Sequence, residues 1–163
     1  MSEDYTKIDA QFDPTTQRMS GTTYHGGIYF DIPFISEIAP NLWQGGCETG
    51  LILPKFIKHW ITLYPWELYT IKHELDSKLI VRMYDSLDQD TDQIELLAQW
   101  VNNCRKSGVT LISCQAGLNR SSLVAAKALM LEGMTADKAI ALLREKRSGA
   151  VLCNEAFEEW LRK

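Results

Sequence analysis

The chain reads as an α/β domain: a central, mainly parallel, twisted sheet with helices on both faces. Three observations predict this. From Phe34 to the C-terminus, short apolar or β-branched runs alternate with segments of helical period. That order builds parallel strands joined by crossover helices. One run, Val109 to Ser113, is continuous rather than alternating, as in strands buried on both faces. Finally, 163 residues with 45% apolar and 23% charged side chains match one globular domain.

Residues 1–30 differ from the rest. Thr, Asp, Ser, Tyr and Gly dominate, and no apolar period persists. Composition therefore predicts a flexible N-terminal extension over 1–30 and a folded domain over 31–163. Tyr24, Tyr29 and Phe30 can tack the end of that extension onto the body. Phe34 to Ile38 and Leu42-Trp43 flank Ala39-Pro40-Asn41, which reads as strand, turn, strand. Ile57 to Leu63 is a further strand, closed by Pro65. Leu79 to Val81 with Met83 is the next. Asp90-Thr91-Asp92-Gln93 has the form of a capping box. Behind it Ile94, Leu97, Ala98, Val101 and Cys104 follow at helical spacing, with Ser107-Gly108 as the stop. After the Val109–Ser113 strand, a helix runs from Arg120 to about Glu132 and ends at Gly133. Thr135 caps another through Arg147, and Asn154 caps a last one through Leu161.

Composition excludes several classes. Seventeen basic and 21 acidic side chains give a net charge of -4, so a strongly basic nucleic-acid binder is not expected. No apolar run approaches the length of a membrane span, and Met1-Ser2-Glu3-Asp4 carries no secretory pattern. Four cysteines without paired spacing predict neither a disulfide framework nor a structural zinc, and a reduced, cytoplasmic setting. His25, His59 and His73 are dispersed and read as packing or surface residues rather than metal ligands. The tryptophans 43, 60, 100 and 160 read as core. Tyr64-Pro65-Trp66, after a strand, is a candidate for a pocket rim.

The informative segment is Ser113-Cys114-Gln115-Ala116-Gly117-Leu118-Asn119-Arg120-Ser121. A cysteine ends a buried strand, a five-residue loop follows, and an arginine with two hydroxyls opens a helix. This is a site for a tetrahedral oxyanion. The loop amides and the helix N-terminus converge donors and a positive dipole. The same field favours thiolate over thiol at Cys114. Arg120 offers a planar fork for two phosphate oxygens. Gly117 sits where a sharp turn wants positive φ, and Ser121 can donate to the sulfur. The full pattern arises by chance in about one chain in a thousand. A thiolate attacking a phosphate ester needs a proton donor for the leaving oxygen. Asp85, at the C-terminal edge of a strand, is the first candidate, and Asp88 its rival. Asp90 reads as a helix cap and Asp92 as a complement to the helix dipole.

This segment resembles the signature of the cysteine-dependent tyrosine and dual-specificity phosphatases: cysteine, five residues, arginine, then Ser or Thr. The resemblance spans about Phe34 to Leu161. Asn41 to Gly45 looks like the family's opening strand, Met83 to Ser86 its general-acid loop, and Arg144 to Phe157, with Arg147 and Asn154, its closing region. The compact size resembles the dual-specificity type. The resemblance implies Cys114 as nucleophile, Asp85 as general acid and then base, and Arg120 as phosphate ligand and transition-state stabiliser. It implies Ser121 assisting breakdown of a cysteinyl-phosphate, and amides from Gln115 through Ala116, Gly117, Leu118 and Asn119 to Arg120 binding the oxygens. No metal or cofactor is expected. The implied partner is a phosphorylated protein, acted on by a monomer at phosphotyrosine and also at phosphoserine or phosphothreonine. One departure is Ser113, where the family usually has histidine, so the thiolate's acidity is expected to differ. Two rival readings follow: a phosphoprotein-binding module without turnover, and a phosphatase for RNA or another non-protein phosphate. Oxidation of Cys114 against Cys47, Cys104 or Cys153 is a further option the spacing leaves open.

Overall fold

The computed structural model describes residues 11–86 and 91–163. Its centre is a five-stranded sheet of β3 (Ile35–Ala39), β4 (Leu42–Gly45), β5 (His59–Thr62), β6 (Ser77–Ile80) and β7 (Thr110–Ser113). The spatial order is β3-β4-β7-β5-β6. Only β3 runs antiparallel, joined to β4 through Asn41 at φ 58°, a left-handed turn that asparagine tolerates. The other pairings are parallel. Every residue of β7 is buried, as its continuous apolar run predicts. Strand β6 ends at Ile80, earlier than the expected Met83, because its partner β5 offers no ladder beyond Thr62.

The helices are α1 (Thr91–Arg105), α2 (Arg120–Leu131), α3 (Ala136–Lys146) and α4 (Glu155–Arg162). Their ends follow local chemistry. Gly133 turns left-handed at φ 108° behind α2, and the Met134 N–H returns to Leu129 O. The Thr135 hydroxyl accepts from the Lys138 N–H, and Asn154 Oδ1 from the Ala156 N–H. The capping box expected at Asp90–Gln93 falls partly outside the described residues.

Side-chain alternation along the strands fills two cores. Leu42, Ile61 and Ile112 pack with the helices, notably Ala98, Val101, Val124 and Ala128. Trp60 and Leu111 point the other way, against Leu53, Ile57 and Tyr69 from the connections. No described helix is long and apolar enough to cross a membrane.

Residues 18–33 are where composition and structure diverge. Strands β1 (Arg18–Thr22) and β2 (Tyr29–Pro33) form an antiparallel hairpin. The boundary drawn at residue 30 falls inside β2. Met19, Gly21, Phe30 and Ile32 turn inward and alternate with exposed Arg18, Ser20, Thr22, Tyr29 and Asp31, but each strand has only five residues, and Gly21 and Tyr29 blur the apolar contrast.

Register sets the site. Gly45 and Thr62 both lie level with Ser113. The residues that follow, Gly46, Leu63 and Cys114, therefore leave the sheet along one C-terminal edge, where open α/β sheets place ligands.

Candidate active site

Cys114 follows β7 and is buried. The loop behind it is shaped by where its carbonyls go. Gln115 O accepts from the Cys47 N–H at 3.2 Å. Ala116 O accepts from Arg147 Nη2 at 2.9 Å. Gly117 O accepts from Arg147 Nε at 2.7 Å and from Gln44 Nε2 at 2.6 Å. Leu118 O accepts from the Leu152 N–H at 2.8 Å. In a planar trans peptide the N–H points opposite to the C=O. Anchoring four consecutive carbonyls outward therefore turns the amides of Ala116, Gly117, Leu118 and Asn119 inward. The Gly117 N–H accordingly lies 3.2 Å from Cys114 Sγ. Gly117 has φ 71°, and a Cβ there would stand 2.2 Å from the Gly45 carbonyl carbon. Only glycine fits.

Arg147 is almost fully buried and also donates to Pro33 O and Ser36 Oγ. Burial draws its guanidinium down to about 10, against the opposing pull of Cys114 and Tyr69, so it stays charged at neutral pH. Gln44, fully buried in β4, extends the same amide to the hydroxyls of Ser121 and Ser122. Ser121 Oγ in turn lies 3.3 Å from the sulfur. Ser113 accepts from Trp60 Nε1 at 2.8 Å.

At the mouth, Arg120 lies with its guanidinium 5.1 Å over the Tyr64 ring and donates from Nη1 to Met83 O. Its Nε is enclosed and has no partner among the described residues. An enclosed N–H without an acceptor is rare in a folded protein and fits a site for a bound anion. Asp85 is held on two sides, with Oδ1 2.8 Å from Asn154 Nδ2 and Oδ2 3.1 Å from Asn119 Nδ2. Asn119, so occupied, gives α2 no side-chain cap, which leaves the helix's first amides and its dipole for a ligand.

Asp85, Cys114, Gln115, Ala116, Leu118, Asn119 and Arg120 thus line one cavity of about 160 Å³. Gly117 contributes its amide and Ser121 stands beside the sulfur. Asp88 lies outside the described residues. Tyr64 does not line the cavity, but its ring lies under Arg120 and meets the Trp66 ring tilted, with centroids 4.9 Å apart. Sequence reasoning gives Gln44 no site role, places Arg147 only in the closing region and has Tyr24 and Phe30 only tack the extension onto the body; in the structure Thr22, Thr23, Tyr24 and Phe30 close one wall of the cavity. For Gln44 a signal existed: a polar residue inside a buried strand requires partners. His59 and His73 pair with Ser107 Oγ and Ile57 O, as packing residues. His25 instead stands 3.4 Å from Asp85. Burial, with Glu67, Cys114 and Glu48 nearby, pushes the Cys47 thiol up to about 12, and burial raises Cys104 as well.

The fold, with a cysteine in an amide-lined loop beside an arginine and a carboxyl, has the layout of the compact cysteine-based phosphatases. The family model of the dual specificity phosphatase catalytic domain matches residues 55–163. The chain belongs to that family. The fold is also that of solved structures. The human tyrosine phosphatase-like serine/threonine/tyrosine-interacting protein is 20% identical, with a TM-score of 0.64, 78% of this chain and 93% of that chain covered. Human DUSP28 is 19% identical with a TM-score of 0.65, covering 78% and 92%. Cydia pomonella PTP-2 phosphatase is 22% identical with a TM-score of 0.61, covering 78% and 88%. No curated protein sequence matches the chain.

Proposed function

We propose that this domain hydrolyses phosphotyrosine in proteins, and phosphoserine or phosphothreonine as well, through a cysteinyl-phosphate and without a metal. The Cys114 thiolate attacks phosphorus, forming the S–P bond as the P–O ester bond breaks. Asp85 gives its proton to the departing oxygen. As a carboxylate it then takes a proton from the attacking water, the S–P bond breaks, and Ser121 donates to the returning sulfur. Arg120 and the inward amides hold the equatorial oxygens, where charge gathers in the transition state.

The observation that carries this reading is the anchored loop: four carbonyls held outward beneath an arginine whose enclosed Nε has no partner among the described residues. The unpaired thiols fit a reducing, cytoplasmic setting. The test is turnover of para-nitrophenyl phosphate and of phosphotyrosyl, phosphoseryl and phosphothreonyl peptides. Cys114→Ser should abolish turnover and keep oxyanion binding. Asp85→Asn should remove the limb of the pH profile set by the acid. A wild-type protein that binds tungstate without turning over any ester would favour the second reading, a phosphoprotein-binding module. Ser113 favours that reading, since its hydroxyl is engaged by Trp60 and no imidazole stands there.

A further inference from the structure

We propose that His25 is a positioning residue for Asp85, seated by the N-terminal hairpin so that one carboxyl oxygen alone carries the catalytic proton. The proposal rests on the reading of Asp85 as the general acid. A carboxyl group has four lone-pair sites, two on each oxygen. Asn154 fills one on Oδ1 at 2.8 Å, and Asn119 fills one on Oδ2 at 3.1 Å. His25 Nε2 lies 3.4 Å from Oδ1, on the oxygen that Asn154 already holds. Once His25 closes onto Oδ1, both sites of that oxygen are engaged, and the remaining site on Oδ2 is where the transferable proton resides.

Two further observations point to His25. Its Nε2 is enclosed and has no hydrogen-bond partner among the described residues. A buried ring nitrogen costs stability unless it finds a partner, and Asp85 is the polar group beside it. A small closing movement of the turn shortens 3.4 Å into a hydrogen bond, the tightening expected when substrate fills a site. The turn is also built to hold the ring. The Thr23 hydroxyl accepts from the Ile28 N–H at 2.8 Å and donates to His25 O at 2.6 Å. The Thr23 N–H donates to Ile28 O, and the Tyr24 ring meets the imidazole edge-on at 5.2 Å. The hairpin is tied to the phosphate loop through Arg147, which bonds Pro33 O, Ala116 O and Gly117 O together.

The test uses leaving groups of different quality. A proton donor matters most for phenyl phosphate, a poor leaving group, and least for 2,4-dinitrophenyl phosphate. His25→Phe should lower kcat on phenyl phosphate by about tenfold to a hundredfold, within the usual reach of general acid catalysis. It should change the dinitrophenyl ester much less and leave KM alone. His25→Gln, which can place a donor nitrogen near the same point, should recover most of the loss. In the double variant with Asp85→Asn, removing His25 should cost nothing further on phenyl phosphate. Equal losses on both esters, no loss, no recovery by glutamine, or additive losses in the double variant would each overturn the assignment. If Asp85→Asn itself shows no dependence on leaving group, the reading of Asp85 fails and His25 falls with it. If Asp85→Asn shows that dependence and His25→Phe does not, His25 alone fails.

Discussion

Arg147→Met tests whether the anion cup is made by carbonyl anchoring. The substitution keeps an unbranched apolar stem and removes every donor. Gly117 O retains Gln44 at 2.6 Å. Ala116 O and Pro33 O each lose the guanidinium that now reaches them at 2.9 and 2.8 Å. A buried carbonyl left without a donor costs about 1–3 kcal/mol, so two cost roughly 2–6 kcal/mol. Part is returned, because the variant no longer buries a charge whose burial draws it down to about 10. The net loss is about 2–4 kcal/mol, or roughly 5–15 °C in Tm for a chain of this size.

Activity should fall further than stability implies. With Ala116 O released, its peptide can rotate and the Gly117 N–H leaves the sulfur. One misplaced oxyanion donor costs about 10²–10³ in kcat. We expect kcat/KM on an aryl phosphate to drop about a hundredfold, measured well below the Tm of the variant. Arg147→Lys should fall between, since one ammonium cannot reach three separated carbonyls. A methionine variant that melts with the wild type and keeps kcat/KM within threefold would refute the anchoring account.

Three more outcomes follow from the geometry. Gly117→Ala should cost about 3 kcal/mol or more, because its Cβ meets the Gly45 backbone at 2.2 Å with φ at 71°; calorimetry showing an unchanged Tm would refute this. Iodoacetamide at pH 7–8 should spare Cys47 and Cys104 in the folded chain and label them once it is unfolded, since burial holds both as thiols; peptide mass mapping that finds Cys47 modified first would contradict it. The Glu158 carboxyl lies below its usual range: burial would raise it, and the hydrogen bonds and charges of Arg144 and Arg162 outweigh that. Its contribution is therefore complete above the unfolded value of about 4.3 and is lost as pH falls through the folded one. Glu158→Gln should cost about 0.5–1 kcal/mol at pH 7 and nothing near pH 2 in urea melts; an equal cost at both would sink the linkage.

The legible parts of the fold are those whose signal is local. Val109 to Ser113 announces a buried strand by composition, and Gly133, Thr135 and Asn154 mark helix ends because each acts on its own backbone. The hairpin was not legible. Arg18 to Thr22 turns inward only Met19 and Gly21, a single apolar side chain. Nor was the cover over Trp60 and Leu111, made by connections without a period. The site divides the same way. The cup lies in one contiguous segment from Cys114 to Ser121, so it can be read directly. Its anchors cannot. Gln44 reaches Gly117 across 73 residues, and Arg147 across 30. Such pairs exist only once the sheet register is set.

Those distant anchors bear on Ser113. Where a histidine precedes the cysteine, an imidazole is available to order the loop. Here four carbonyls are already fixed by Cys47, Arg147, Gln44 and Leu152, so the amide directions owe nothing to residue 113. The Ser113 hydroxyl has a different task. It lies fully buried and receives the Trp60 indole N–H, tying the core on one side of the sheet to the strand that delivers Cys114. Ser113→Ala would leave that N–H without an acceptor, at about 1–3 kcal/mol. Restoring histidine would press a larger ring against Trp60, with an overpacking cost of similar size. Both substitutions should therefore lower the Tm while leaving oxyanion affinity close to that of the wild type. A large loss of tungstate binding on Ser113→Ala would show that the cup leans on this residue after all.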